Sequence, residues 1–141
     1  MKSDPVQEQI IEEFSIFDDW HDKYEYLIGL SAELPPIDHA HRTDQYIIKG
    51  CQSRVWIDAT VRDGKLYFSA DSDSIISKGI ISLIIRVLNG RMPREVLDAD
   101  LYFIDRIGLD EHLSLNRANG LPAMIKQMKL FALAYLNKVQ E

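Results

Sequence analysis

The stretch from Val55 to Ala70, VWIDATVRDGKLYFSA, predicts a β-hairpin. Apolar and polar residues alternate on both sides of Asp63-Gly64, a dipeptide that favours a tight turn between antiparallel strands. Because side chains of a strand point alternately to its two faces, every second residue shares a face. The core face of the first strand should carry Val55, Ile57, Ala59 and Val61, and the other face Trp56, Asp58, Thr60 and Arg62. A short apolar run, Tyr46 to Ile48, offers a third strand.

Helical patterns lie on both sides of this hairpin. Before it, apolar residues at helical spacing predict two short helices, the second stopped by Pro35-Pro36. After it, Ser72 or Asp73 is placed to cap a core helix from about Ser74 to Asn89, with Gly90 as its stop. The order of helices, strands and helices predicts an α+β fold, with a small antiparallel sheet of two or three strands flanked by helices.

The C-terminal third of the chain is expected to be helical. Pro93 starts one short helix, and another turn is expected from Tyr102 to Ile107 before Gly108. A last helix is predicted from about Gly120 to Val139. Its buried stripe would consist of Met124, Met128, Phe131, Ala132 and Tyr135. With no repeat and no long linker, residues 1–141 are expected to form a single domain.

Net charge and hydropathy restrict the classes of partner that the protein can have. The net charge of −6 leaves no broad cationic field for phosphate contacts, which argues against a nucleic acid as partner. The most apolar stretch, Gly79 to Leu88, is interrupted by Arg86 and is far shorter than the roughly 20 residues that span a bilayer. The first residues lack the apolar segment of a secretory signal. We therefore expect a cytoplasmic protein with no membrane partner.

Cys51 is the only cysteine. One thiol cannot form an internal disulfide, a CxxC pair or a cysteine-rich metal site, which leaves a nucleophile, a sulfur carrier or a buried bystander. Lys49 and Arg54 are close enough in sequence to favour a thiolate. If the strand extends backward, Cys51 shares the parity of Val55 and faces the core. Gly50 could supply the backbone freedom to swing it out, so we expect a shielded thiol on a mobile loop.

Other chemistries of this thiol need partners that the sequence does not single out. A cysteine hydrolase needs a base near the thiol, and the candidates are His21, His39, His41 and His112. A mononuclear metal site would combine Cys51, a histidine and Asp71 or Asp73. No ligand spacing supports such a site, and Asp71-Ser72-Asp73 is first a helix-capping segment.

Several motifs along the chain are informative when they are taken together. The N-terminal part contributes Trp20, Lys23, Tyr24 and the Leu34-Pro35 turn. The remaining motifs are Gly50-Cys51-Gln52-Ser53-Arg54-Val55-Trp56, Asp71-Ser72-Asp73 with Lys78-Gly79, His112-Leu113, Arg117 with Gly120-Leu121, and Ala123-Met124-Ile125. Together these motifs resemble the SufE family of iron-sulfur cluster assembly proteins. The resemblance covers nearly the whole chain and implies the fold that SufE shares with IscU-type scaffold proteins. Those scaffolds use several cysteines to hold a cluster, whereas this chain has one.

The resemblance implies a sulfur acceptor with no independent turnover and no cofactor of its own. Such a protein docks on a SufS-like cysteine desulfurase that holds pyridoxal phosphate, takes sulfur onto Cys51 as a persulfide, and delivers it to a SufBCD-like scaffold. Gly50, Gln52 and Ser53 would form the moving loop around Cys51, with Asp73 and Arg117 as supporting residues. Asp73 could equally be a helix cap and Arg117 a tether for the last helix. Asn116 replaces a serine expected of family members, which puts a hydroxyl-dependent role there in doubt.

Two other classes of function stay open at this point. A regulatory binding module would stimulate the desulfurase without carrying sulfur, and replacing Cys51 with serine would leave that stimulation largely intact. An independent cysteine hydrolase would turn over without any partner protein and would place a histidine within hydrogen-bond reach of Cys51.

Overall fold

The structure is a computed structural model that describes residues 4–38, 40, 47, 54–108 and 115–139; of residues 115–120 and 138–139 only the backbone is described. Two strands, β1 (Val55–Arg62) and β2 (Lys65–Ser72), form an antiparallel sheet. The helices are α1 (Pro5–Ser15), α2 (Trp20–Leu30), α3 (Ile75–Leu88), α4 (Pro93–Asp98), α5 (Phe103–Ile107) and α6 (Leu115–Val139). A 3-10 turn, Ser31–Glu33, follows α2. The predicted α+β fold is confirmed.

The hairpin forms as its sequence predicts. Asp63 and Gly64 both have positive φ, 53° and 77°, which is the backbone of the tight turn. Val55, Ile57 and Ala59 are buried on the core face, whereas Thr60 and Arg62 are exposed on the other. Trp56 is an exception, since it is only 7% exposed on the face expected to be open. Ile47 forms an isolated antiparallel bridge with Trp56, so the predicted third strand is represented by this single bridge among the described residues.

Helix α3 is the centre of the core. Ten of its residues are buried, and it packs on α2 and on β2. Each large aliphatic side chain buried in this way contributes roughly 1.5–3 kcal/mol. Gly79 lies where α3 crosses α2. A methyl group at this position would overlap the Leu27 carbonyl oxygen, so the close crossing requires glycine. The helix is capped by Ser74, whose side chain accepts from the Ser77 amide, and not by Ser72 or Asp73 as predicted. Strand β2 continues through Ser72, which moves the helix start toward the C-terminus.

Helix α6 is longer than predicted. It begins at Leu115, not near Gly120, and it continues through Pro122. Proline removes one helical hydrogen bond, but the burial of Leu121, Met124 and Met128 in the core holds this part of the helix in place. The predicted stripe is confirmed for Met124, Met128 and Ala132, whereas Phe131 and Tyr135 are half-buried.

Other boundaries differ less from the predictions. Helix α2 ends at Leu30, before the 3-10 turn, and not at Pro35-Pro36. Helix α4 begins at Pro93, and Gly108 ends α5 with a φ of 80°, as predicted.

Two polar clusters tie α1 to the rest of the fold. Asp4 caps α1 and accepts a hydrogen bond from Arg91. Glu13 pairs with Arg86 of α3 and accepts a hydrogen bond from the Tyr26 hydroxyl. The Arg86 hydrogen bond lowers the pKa of Glu13. Burial, together with the hydrogen bond to Glu13, raises the pKa of Tyr26 to about 12. These contacts hold α1 and α2 against the core.

Candidate functional site

The predicted site residues divide into two groups. Gly50, Cys51, Gln52 and Ser53 lie outside the described residues, as do His39, His41 and His112. Asp73 is described in full, and Arg117 lies in α6 with only its backbone described. The predictions of an inward-facing Cys51 and of roles for Gln52, Ser53 and Arg117 therefore stay predictions.

Arg54, the first described residue after Cys51, is held by three hydrogen bonds. Its backbone N–H donates to Oδ1 of Asp73 at 3.0 Å. Its carbonyl accepts from the Ser72 hydroxyl at 2.7 Å and from the Asp73 backbone N–H at 3.2 Å. The Ser72 side chain is buried. We call this arrangement of Arg54, Ser72 and Asp73 the Arg54 clamp; it fixes the main chain three residues after the thiol.

The chain before the cysteine segment meets the same end of the hairpin. Ile47 bridges to Trp56, and Trp56 lies two residues after Arg54. Residues 48–53, which include Cys51, are therefore bounded by two described positions that both contact the open end of the hairpin.

Asp73 thus lies at the open end of the hairpin, next to the cysteine segment. It does not cap α3, which was the alternative role considered for it. Its carboxylate binds the backbone of Arg54, while Ser74 caps α3. Ser72 was not predicted as a site residue. Its neighbour Asp71 forms an ion pair with Lys78, with an Oδ1–Nζ distance of 3.3 Å. Asp71 and Lys78 line a depression with Leu34, Pro36 and Ile37, whereas Ser72 and Asp73 bind Arg54.

The alternative metal site receives no support from the described residues. Among them, the one group of histidine and carboxylate side chains with ligand-like spacing is His21, Asp22 and Glu25, which are exposed on α2. It includes neither Asp71 nor Asp73. His21 lies 3.4 Å from Glu25, one helical turn away, which is ordinary for a helix surface.

Comparisons with known proteins agree with the sequence motifs. Residues 8–132 match the family model of SufE, described as an Fe-S metabolism associated domain. An uncharacterised SufE-like protein of Rhizobium meliloti (strain 1021) is 36% identical over 127 residues, which cover 86% of this chain and 91% of that protein. This chain belongs to the SufE family.

A solved structure supports the fold. The solution structure of a hypothetical protein from Thermus thermophilus superimposes with a TM-score of 0.79. It is 22% identical in sequence, and the match covers 96% of this chain and 99% of that one. At this identity the similarity concerns the fold alone.

Membership of the SufE family associates the protein with iron-sulfur metabolism. Within the described part of the chain, no helix is both long and apolar enough to cross a membrane.

Proposed function

We propose that this protein accepts sulfur onto Cys51 from a cysteine desulfurase of the SufS type and passes it to an iron-sulfur cluster scaffold of the SufBCD type. The observation that carries the proposal is the Arg54 clamp. It fixes the main chain directly after the segment that holds the only thiol of a SufE-family chain. A sulfur carrier needs this combination, because the thiol must reach a partner's active site while the fold behind it stays in place.

The transfer is a thiol exchange. The Cys51 thiolate attacks the outer sulfur of the persulfide on the desulfurase. A new S–S bond forms on Cys51, the S–S bond of the donor breaks, and the desulfurase cysteine leaves as a thiolate. No net oxidation or reduction occurs, so the chain needs neither a second cysteine nor a cofactor of its own. Pyridoxal phosphate belongs to the desulfurase, where sulfur is released from L-cysteine.

The transferred sulfur must be shielded from the free thiols of a reducing compartment. A persulfide reacts readily with other thiols, so a return of Cys51 toward the core after loading would protect it. We place the exchange in the cytoplasm, where an unpaired cysteine persists as a thiol. In this proposal the protein stimulates the desulfurase by removing its product sulfur and performs no turnover alone.

The proposal is tested by intact mass spectrometry after incubation with a cysteine desulfurase and L-cysteine. We expect a gain of about 32 Da that a reductant removes, as thiol exchange requires. The Cys51→Ser variant should gain nothing and should not stimulate the desulfurase.

A second variant separates the position of the thiol from its presence. Cys51→Ser combined with Ser53→Cys keeps one cysteine in the same segment, two residues closer to the Arg54 clamp. We expect this variant to load far more slowly than the wild type. If the wild type stays unloaded while it still stimulates the desulfurase, and Cys51→Ser stimulates equally, the protein is a regulatory module and does not carry sulfur.

A further inference from the structure

An apolar groove lies between α4 and α6. Leu97 forms one side, and α6 contributes Pro122, Ile125, Lys126, Lys129, Leu130 and Leu133. The volume is about 550 Å³, and we call it the α4–α6 groove. Leu130 and Leu133 are 46% and 43% exposed, although both are large aliphatic residues. Adjacent exposed leucines of this kind commonly mark a binding surface.

The groove is long enough along α6 for a short helix. Its residues on α6 recur at intervals of three and four, which places them on one stripe of the helix. This stripe is different from the one that faces the core, which contains Leu121, Met124 and Met128. From Pro122 to Leu133 it extends about 16 Å at 1.5 Å per residue, or three turns of a partner helix. Grooves of this form bind amphipathic helices through anchors spaced i, i+3, i+4 and i+7.

The charge of the groove defines the partner. All four charged residues between 115 and 139 are positive, namely Arg117, Lys126, Lys129 and Lys138. Because the whole chain has a net charge of −6, setting these four aside leaves −10 for the rest. Lys126 and Lys129 are the charged residues in the described lining of the groove, and Lys129 is oriented by a 2.8 Å hydrogen bond to the Ala99 carbonyl. The acidic residues of α4, Glu95 and Asp98, line a different depression.

Neither the same groove of a second copy nor its helix α1 fits this groove. Two α4–α6 grooves facing each other would bring lysines against lysines, which is unfavourable. The acidic helix α1 has a suitable charge, with Glu8, Glu12 and Glu13. Its apolar residues Ile10 and Phe14, however, are buried in its own core and cannot enter another molecule.

We propose that the α4–α6 groove binds an acidic amphipathic helix of a protein partner. Aliphatic side chains of that helix would cover Leu130 and Leu133, and its flanking carboxylates would approach Lys126 and Lys129. This inference does not depend on sulfur transfer by Cys51, since the groove residues and the Arg54 clamp have no member in common.

The test is a titration of the full chain with two synthetic helical peptides. Both carry leucines at i, i+3, i+4, i+7 and i+11; one has glutamates at the flanking positions and the other has lysines. NMR of methyl groups reports the binding site, and fluorescence anisotropy reports affinity. We expect saturable binding of the acidic peptide, with shifts of the Leu130 and Leu133 methyl signals. Added salt should weaken this binding, because the lysines are near the surface.

Matched charge reversals separate the groove from the overall charge. Lys126→Glu should weaken the acidic peptide about tenfold, as loss of an anchoring contact does. Lys65→Glu makes the same change of net charge on the exposed hairpin turn and should have little effect. Both residues are exposed, so both variants should keep the wild-type NMR spectrum elsewhere.

Four outcomes would overturn the proposal. They are no binding of the acidic peptide up to about 1 mM, equal binding of both peptides, equal weakening by Lys126→Glu and Lys65→Glu, and concentration-dependent self-association through Leu130 and Leu133. The last outcome would assign the groove to a second copy of this chain.

Discussion

On the outer edge of β2, neighbouring segments supply backbone groups and the side chain of Asn89, whereas β1, the strand that follows the cysteine segment, combines the Ile47 bridge with side-chain contacts. On β2, the backbone N–H groups of Leu66 and Ala70 donate to backbone carbonyls of Arg91 and Pro35 at 2.8 and 3.1 Å. Between them, Phe68 donates to the side-chain oxygen of Asn89 at 2.7 Å. This edge is fixed by segments that belong to the core.

Besides the backbone bridge from Ile47 to Trp56, β1 has several side-chain contacts. The Ala59 N–H donates to Asp58 at 2.8 Å, and the Ala59 carbonyl accepts from the Tyr135 hydroxyl at 3.0 Å. At the start of the strand, Ser72 and Asp73 hold Arg54. A backbone acceptor survives most substitutions, but a side-chain contact is lost with one. The strand joined to the cysteine segment is therefore the one that a single substitution can loosen without unfolding the core.

The largest effect is expected on the rigid side of this comparison, where α2 crosses the helix that supports β2. Gly79→Ala would place a methyl group against the Leu27 carbonyl, which is backbone and cannot rotate away. Overpacking of this kind should lower the free energy of unfolding by about 3 kcal/mol. Urea denaturation followed by circular dichroism measures it.

Gly29→Ala is the matched control for this substitution. Gly29 lies in α2, and a methyl group there would meet nothing within 4 Å. Because alanine favours helix over glycine, stability should rise by about 0.8 kcal/mol or stay unchanged. An equal loss in both variants would contradict the assignment of the Gly79→Ala loss to the crossing of α2 and α3.

Asn89→Ala tests the side-chain contact between Asn89 and the β2 edge and should have an intermediate effect. It leaves the Phe68 N–H without its acceptor, at a cost of about 1.5 kcal/mol in unfolding free energy. The rate at which a bulky thiol reagent modifies Cys51 should not change, because this contact does not touch the Arg54 clamp. Asn89→Asp keeps an acceptor oxygen and should lose less stability. Faster modification of Cys51 in Asn89→Ala would contradict the separation of the two edges.

The hairpin and its register were predictable from the sequence. Asp63-Gly64 fixes the turn, so Arg62 pairs with Lys65. Counting eight positions back from Arg62 and eight forward from Lys65 places Arg54 opposite Asp73. The contact between these two residues can therefore be predicted from the register of the hairpin, although the sequence also suggests a helix-capping role for Asp73. The cap itself was misplaced because the end of β2, at Ser72, cannot be read from alternation alone.

Features that depend on contacts between distant segments could not be predicted from local sequence patterns. Trp56 forms a bridge with Ile47, which is nine positions away and outside the alternating pattern. The start of α6 at Leu115 depends on core packing that carries the helix through Pro122. At the candidate site, the motif around Cys51 predicted the family, but no local signal in the sequence indicated that Ser72 would bind Arg54.

The smallest effect on stability is expected at Asp73, on the side of β1. Asp73 is exposed, and its loss leaves the Ser72 hydroxyl and the Asp73 backbone N–H on the Arg54 carbonyl. Asp73→Ala should therefore leave the unfolding transition almost unchanged. It removes the acceptor of the Arg54 N–H, however, so the cysteine segment should open more often and Cys51 should react faster with a bulky thiol reagent.

Asp73→Asn separates the hydrogen bond from the charge. The asparagine side-chain oxygen can still accept from the Arg54 N–H, but the negative charge is gone. If the hydrogen bond holds the segment, Asp73→Asn should react at close to the wild-type rate and only Asp73→Ala should be faster. If the two variants react equally fast, repulsion between the carboxylate and the thiolate controls the reactivity instead. Unchanged rates in both would mean that Ser72 alone anchors Arg54, and Ser72→Ala would then have to accelerate the reaction for the contrast between the two strands to stand.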